Sequence, residues 1–125
     1  TYTKALEYKD DVSDVFTSFF NKYDVWLTPV SLAPAFKHQK PGIPFVINGK
    51  KIPYTKAFIP FNFPSTIPGH PIVVIPIGMT TKGLPVGVQI HGKKWQDYKL
   101  LQIAKELEFF TAGFQIPETF NHILK

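Results

Sequence analysis

The chain has 125 residues, which suits one modest domain, and 44% of them are hydrophobic, including 12 phenylalanines. This composition predicts a packed core and excludes a disordered chain. No apolar run approaches the ~18 residues of a membrane span and no charged-then-apolar leader is apparent, so we expect no membrane partner. Cysteine is absent, which excludes disulfide frameworks and Cys-based metal sites and fits a reducing, cytoplasmic location.

The net charge of +5 comes from 14 lysines, with no arginine to add to it. Proteins that read nucleic acids cluster their basic residues and use arginine for bidentate contacts. Here the lysines are scattered, and they are adjacent only at Lys50-Lys51 and Lys93-Lys94. We therefore expect no nucleic-acid partner.

Residues 1–23 are predicted to form a helix, because apolar side chains recur at the i, i+3, i+4 and i+7 positions of one face. That face comprises Val12, Val15, Phe16, Phe19, Phe20 and Tyr23. Residues 25–30 form a short β-rich run that is closed by proline. Since the run barely alternates, we predict a strand buried on both faces.

Residues 31–71 form a Pro-rich excursion, because ten of the 12 prolines lie between Pro29 and Pro76. Proline fixes φ and removes a backbone donor, so regular structure should be sparse here. The exception is Asn48-Gly49, which stands between two apolar arms and predicts a small hairpin.

Residues 72–77 and 84–90 are apolar runs separated by a loop with Gly83, a pattern that predicts a second hairpin. A final helix should begin near Asp97 as N-cap and end near Gly113, with residues 114–125 as a docked irregular end. Its predicted buried face contains Leu100, Leu101, Ala104, Leu107 and Phe110. The whole order predicts an α/β fold with a mixed β-sheet flanked by helices.

No complete catalytic set can be assembled from these residues. The four serines lie outside Gly-x-Ser-x-Gly, and only Ser65, five residues before His70, has a histidine near it in sequence. A hydrolase based on a Ser65/His70 pair is one hypothesis, beside ordinary turn hydrogen bonding by Ser65. The histidines His38, His70, His91 and His122 lack metal-ligand spacing, so we expect no metal site.

Three stretches together resemble the C-terminal part of amidase signature enzymes. They are "FFNKYDVWLTPVSLAPAF", "PGHPIVVIPIGMTTKGLPVGVQIHG" and "DYKLLQIAKELE", in the order of that family. The matching residues are Tyr23, Asp24, Leu27, Pro29, Gly69, Pro71, Pro76, Gly78, Gly83, Leu84, Pro85, Gly87, Gln89, Leu107 and Glu108.

The resemblance implies an amidase that hydrolyses carbon–nitrogen bonds of linear amides with a Ser–Ser–Lys triad. Neither the Gly/Ser-rich segment nor an assignable lysine is present, so we expect the triad outside residues 1–125, no catalytic residue within them, and no activity of the chain alone. The resemblance also implies that Gln89 satisfies buried backbone groups. It further implies that the Pro-rich excursion approaches a small-molecule amide substrate, and the candidate substrate-binding residues are Phe58, Phe61, Asn62, Phe63 and Thr66.

Two alternatives remain open from the sequence. The tRNA-dependent branch of that family often carries Asn where this chain has Thr66, which favours a general amidase and leaves the role of Asn62 undecided. The chain could also be a non-catalytic binding module with an amidase-like fold. In either case, uncovered sheet edges predict that the isolated chain self-associates.

Overall fold

The computed structural model describes residues 1–116, so the predicted irregular end at residues 114–125 lies mostly outside the described residues. The elements are α1 (Tyr2–Phe20), β1 (Val25–Pro29), β2 (Phe45–Ile47), β3 (Lys50–Ile52), α2 (Tyr54–Thr66), β4 (Ile72–Met79), β5 (Pro85–Gly92) and α3 (Asp97–Glu108). The predicted α/β class is confirmed, and the strand pairings in the described residues are antiparallel. No helix of this described part is long and apolar enough to cross a membrane.

The main sheet has three strands in the order β1-β5-β4. β4 and β5 form the predicted hairpin, and β1 pairs with the other side of β5. The β4–β5 register shifts between Pro76 and Gly78. Pro76 lacks a backbone N–H and so cannot donate a hydrogen bond to β5. β5 is therefore the central strand, and its side chains face a helix on either side.

The hydrophobic core lies between the sheet and α3. Ile75 and Ile90 pack there against Leu100 and Ala104, all of them buried. A Cβ atom on Gly92 would lie 3.1 Å from the side chain of Leu100. Because that distance is shorter than an ordinary contact, Gly92 lets α3 approach the sheet closely.

Helix α2 corrects the prediction that the Pro-rich excursion would lack regular structure. It runs from Tyr54 to Thr66 and contains Pro60 and Pro64. Each proline removes one intrahelical N–H donor. Contacts with the sheet must therefore offset the stability that the helix loses with those hydrogen bonds. The predicted hairpin is confirmed as β2 and β3, with Asn48 and Gly49 at φ of 50° and 76°, as a type I′ turn requires.

The predicted strand at residues 25–30 is confirmed as β1, but the prediction that it is buried on both faces is wrong. β1 is an edge strand, and Leu27 is 50% exposed, although Val25 on the same strand packs against the core under α3. The first helix ends at Phe20, which leaves Tyr23 outside it and exposed. Val15 on the predicted buried face is also exposed.

The final helix is shorter than predicted. α3 ends at Glu108 instead of near Gly113, and Gln96 occupies the N-cap position that was predicted for Asp97. Phe110 therefore falls beyond the helix and is exposed. Leu101 is also exposed, because it lies about 100° around the helix from Leu100.

Candidate functional site

The five predicted substrate-binding residues all lie on α2. Phe58, Phe61 and Asn62 are half-buried, whereas Phe63 and Thr66 are exposed. Thr66 lines a cleft of about 400 Å³ together with His70 and Trp95. The described residues do not gather all five side chains around one cavity, so their role in substrate binding stays a prediction.

Phe58 has a packing role that can be seen directly. Its ring stacks on Tyr54 with 4.6 Å between centroids and meets Phe45 edge-on at 5.7 Å. Phe36 joins the same cluster through Phe45, at 4.5 Å. These rings attach the β2–β3 hairpin to the first turns of α2.

A buried chain of hydrogen bonds joins α2 to the opposite face of the sheet from α3. Ser65 on α2 lies with its Oγ 2.5 Å from Nδ1 of His91 on β5. The other ring nitrogen of His91, Nε2, lies 2.8 Å from Oγ1 of Thr28 on β1. We refer to Ser65, His91 and Thr28 as the α2 clasp.

The α2 clasp overturns the predicted pairing of Ser65 with His70. The side chain of Ser65 is bonded to His91 instead, and Ser65 meets His70 only through the bond from the His70 backbone N–H to the Ser65 carbonyl. Both side chains of the Ser65–His91 pair are 0% exposed. A nucleophile must reach its substrate, and the third member of this chain is a neutral hydroxyl instead of a carboxylate, so the α2 clasp is a structural and not a nucleophilic arrangement.

His91 is held in its neutral form. Burial lowers the pKa of His91 to about 4, and the charge that His70 would carry adds to this effect. The indole of Trp26 lies against its ring, with 4.8 Å between centroids. A neutral imidazole has one N–H and one lone pair, and both are matched by hydroxyls that can donate or accept.

His70 occupies a second buried position on the same face. Its Nδ1 donates to the Gly92 carbonyl over 3.0 Å, and the rings of Phe16 and Phe20 lie at 5.2 and 5.0 Å. Burial is the main cause that lowers the pKa of His70, and it outweighs the opposing effect of the Gly92 bond. Its Nε2 is buried and has no hydrogen-bond partner among the described residues.

The prediction that Gln89 satisfies buried backbone is confirmed. Its Nε2 donates to the Pro29 carbonyl over 2.9 Å and to the Phe61 carbonyl over 3.2 Å. Gln89 and His91 are two residues apart on β5 and so point to the same face. That alternation of polar side chains within an apolar run is the sequence feature from which His91 could have been recognised.

No cluster of three potential metal-binding side chains occurs within residues 1–116. Besides the cleft at Thr66, a cleft of about 740 Å³ lies beside the aromatic cluster, where Phe36, Tyr54 and Lys40 help to line it. Another of about 570 Å³ lies between the segment after β1 and the β4–β5 hairpin. Both are within the range of small-molecule sites.

Comparison with known proteins gives a consistent family. The family model described as Amidase matches residues 1–101. The chain is 33% identical over 107 residues to the A subunit of glutamyl-tRNA(Gln) amidotransferase from Rickettsia bellii (strain RML369-C), covering 86% of this chain and 20% of that protein. The corresponding protein of Thermotoga maritima is 32% identical over 108 residues, covering 86% of this chain and 21% of the relative. The chain thus spans about a fifth of the length of the curated relatives that it matches.

Solved structures agree with this result. The crystal structure of the same Thermotoga maritima protein superposes with a TM-score of 0.73 at 31% identity, covering 94% of this chain and 25% of that one. A crystal structure of an amidase superposes with a TM-score of 0.78 at 23% identity, covering 89% and 25% of the two chains. At that identity the second likeness supports the fold alone.

Proposed function

Because the chain belongs to the amidase family, we propose that it is the C-terminal part of an amidase that hydrolyses linear amides with a Ser–Ser–Lys triad outside residues 1–125. In the proposed reaction a serine oxygen attacks the amide carbonyl and the amine leaves. Water then releases the carboxylate from the acyl-enzyme. No cofactor is proposed.

The observation that carries this proposal is the family match over residues 1–101. Two further observations support it. The curated relatives are about four times as long as this chain, since 107 aligned residues make up 20% of one relative and 108 make up 21% of the other, which leaves room for a triad elsewhere. Within residues 1–116, the one serine side chain that is bonded to a histidine is Ser65, and Ser65 is fully buried.

The substrate proposed is a small-molecule amide, with neither a nucleic acid nor a membrane as partner. The two relatives described above are named for glutamyl-tRNA(Gln), whereas Thr66 in this chain favours a general amidase. We place the substrate against α2, whose residues Phe61, Asn62, Phe63 and Thr66 lie along its C-terminal half. The location proposed for the enzyme is cytoplasmic.

A serine-reactive phosphonate tests this proposal on the natural polypeptide that contains these residues. We expect ammonia or amine release from linear amides, loss of that activity on labelling, and a labelled peptide from outside residues 1–125. The matched control is the Ser18→Ala variant, at an exposed position of α1, which should label to the same extent. A label on Ser13, Ser18, Ser31 or Ser65 would contradict the proposal.

A non-catalytic binding module is the second candidate, because apolar side chains on both edge strands are uncovered. Leu27 on β1 is 50% exposed and Val74 on β4 is 55% exposed. The mass of the natural polypeptide separates the two candidates. A mass of about 50 kDa, as expected when this chain is about a quarter of the whole, supports the amidase, and 14.2 kDa supports the binding module.

A further inference from the structure

Helix α2 receives little stabilisation from its own sequence. Pro60 and Pro64 lie within it, and its N-cap, Pro53, makes no side-chain cap bond. Its first turn has no acidic residue and its last turn has no basic residue to complement the helix dipole. A helix with these features depends on tertiary contacts for both its formation and its position.

Those contacts come mainly from β5 at the C-terminal half of α2. Gln89 donates to the Phe61 carbonyl, and His91 bonds the Ser65 hydroxyl. The Ser65–His91 bond is fully shielded from water, because both side chains are 0% exposed, and Gln89 is only 4% exposed. Shielded hydrogen bonds have strict geometry, because an unpaired partner cannot turn to solvent.

His91 is the member that spans the distance between helix and sheet edge. Its two ring nitrogens bond Ser65 on α2 and Thr28 on β1. The rigid imidazole ring therefore fixes the distance from β5 to α2 and the position of the Thr28 side chain. Trp26 packs on the ring and restricts its rotation. Loss of either hydroxyl leaves a buried ring nitrogen without a partner.

We propose that His91 is a positioning residue for substrate, which fixes the C-terminal half of α2 through Ser65 and Thr28. This inference rests on the proposed function, because it gives α2 the substrate-contacting role proposed above. When the α2 clasp is broken, α2 opens more often and substrate binds less tightly. The chemical step is affected less, since the proposed triad lies outside residues 1–125.

Two variants test the α2 clasp from its two ends, in the natural polypeptide that contains these residues. Ser65→Ala removes the bond on the helix side, and Thr28→Val removes the bond on the strand side with little change in volume. Ile75→Val is the matched control, because it weakens the core on the α3 face and touches no member of the α2 clasp. Each variant is examined by amide hydrogen exchange and by steady-state amide hydrolysis.

We expect the backbone amides of residues 61–63, 65 and 66 to exchange about five- to tenfold faster in both clasp variants, as the loss of one net hydrogen bond predicts. KM should rise by a similar factor while kcat changes less than twofold. Ile75→Val should change neither the exchange of α2 nor KM. Ser65→Thr, which keeps a hydroxyl, should restore KM towards the wild-type value.

The outcomes separate the two proposals. Unchanged exchange in α2 would overturn the role of His91, whatever the kinetics. Faster exchange with an unchanged KM would also overturn it, because α2 would then open more often without weakening substrate binding. Absence of amide hydrolysis in the wild-type polypeptide would overturn the proposed function, and the exchange data would still report on the α2 clasp.

Discussion

At the scale of single residues, the polar side chains of β5 determine how α2 meets the sheet. Gln89 and His91 stand within an otherwise apolar strand and are buried, yet the amide nitrogen of Gln89 and both ring nitrogens of His91 bond groups on β1 and α2. Buried polar groups cost free energy when they lack such partners. Both residues should therefore be sensitive to substitution, and His91 should also be sensitive to protonation.

Acid should destabilise the chain through His91. Its pKa is lowered from 6.5 to about 4 by burial, so the unfolded state binds more protons between those values and stability falls as pH drops from about 6.5 to 4. The lowered pKa corresponds to roughly 3 kcal/mol, at about 1.4 kcal/mol per tenfold change in proton affinity. His70 acts in the same direction.

Urea denaturation at pH 7.5, 5.5 and 4.5 measures this effect. In His91→Asn the pH-dependent loss of unfolding free energy should shrink relative to wild type. His38→Gln, at an exposed position, serves as the matched control and should retain the wild-type dependence. Equal pH slopes for wild type and His91→Asn would show that His91 is not the group responsible.

Replacing Gln89 with methionine should cost about 1–3 kcal/mol of unfolding free energy. The two side chains have similar volume, but methionine cannot donate to the partly buried carbonyls of Pro29 and Phe61. Gln102→Met, at an exposed position on α3, is the control and should change stability by less than about 0.5 kcal/mol. Equal denaturation midpoints for the two variants would contradict the assigned role of Gln89.

At the scale of elements, α2 shows that local helix propensity does not always predict the structure that forms. The density of proline across residues 31–71 argues against a helix, and the N–H groups missing at Pro60 and Pro64 are a real cost. The helix nevertheless forms, since burial of Ala57 and Ser65 and the bonds from β5 offset that cost. The β2–β3 hairpin behaves differently, because Asn48-Gly49 specifies its turn locally.

Removing one of these prolines should stabilise the protein. Pro60 is exposed, and Pro60→Ala restores a donor for an i−4 carbonyl at the cost of a more flexible unfolded chain. We expect a net gain of about 1–2 kcal/mol, measured by urea denaturation.

Pro41→Ala is the matched control for this prediction. Pro41 precedes Gly42, whose φ is 87°, and Ile43 N–H donates to the Lys40 carbonyl, as in a type II turn. Proline suits that position, so the variant should lose up to about 1 kcal/mol. If Pro41→Ala raised the free energy of unfolding and Pro60→Ala lowered it, the proposed conflict between Pro60 and the helical geometry of α2 would be wrong.

At the scale of the whole molecule, residues 1–116 cover only part of their own apolar surface. α3 covers one face of the sheet, while Leu27 on β1 and Val74 on β4 stay exposed at its two edges. Val15 on α1 is also 69% exposed. Such a surface favours association, either with further parts of the same protein or with another copy.

We expect the isolated chain to form dimers or larger assemblies at micromolar concentration, as measured by light scattering. The double variant Leu27→Lys/Val74→Lys should shift it towards monomer, since a charge on each edge strand opposes edge pairing. Val46→Lys, at a 70% exposed position on the small hairpin, is the control and should leave the assembly unchanged. A monodisperse wild-type monomer would refute the expectation.

The sequence by itself indicated the amidase family, through the resemblance of three motif stretches. It also predicted the order of most elements and the two hairpins, because glycine, proline and hydrophobic period act within a few residues. It also identified Gln89 as a residue that serves buried backbone. Only the tertiary structure decided that α2 is a helix, that β1 is an edge strand, and that Ser65 bonds His91 instead of His70. Each of those outcomes depends on residues 26 or more positions apart, whose contacts no local pattern specifies. The predicted substrate face on α2 rests on the same long-range contacts, and it stays a prediction that the exchange and kinetic measurements can decide.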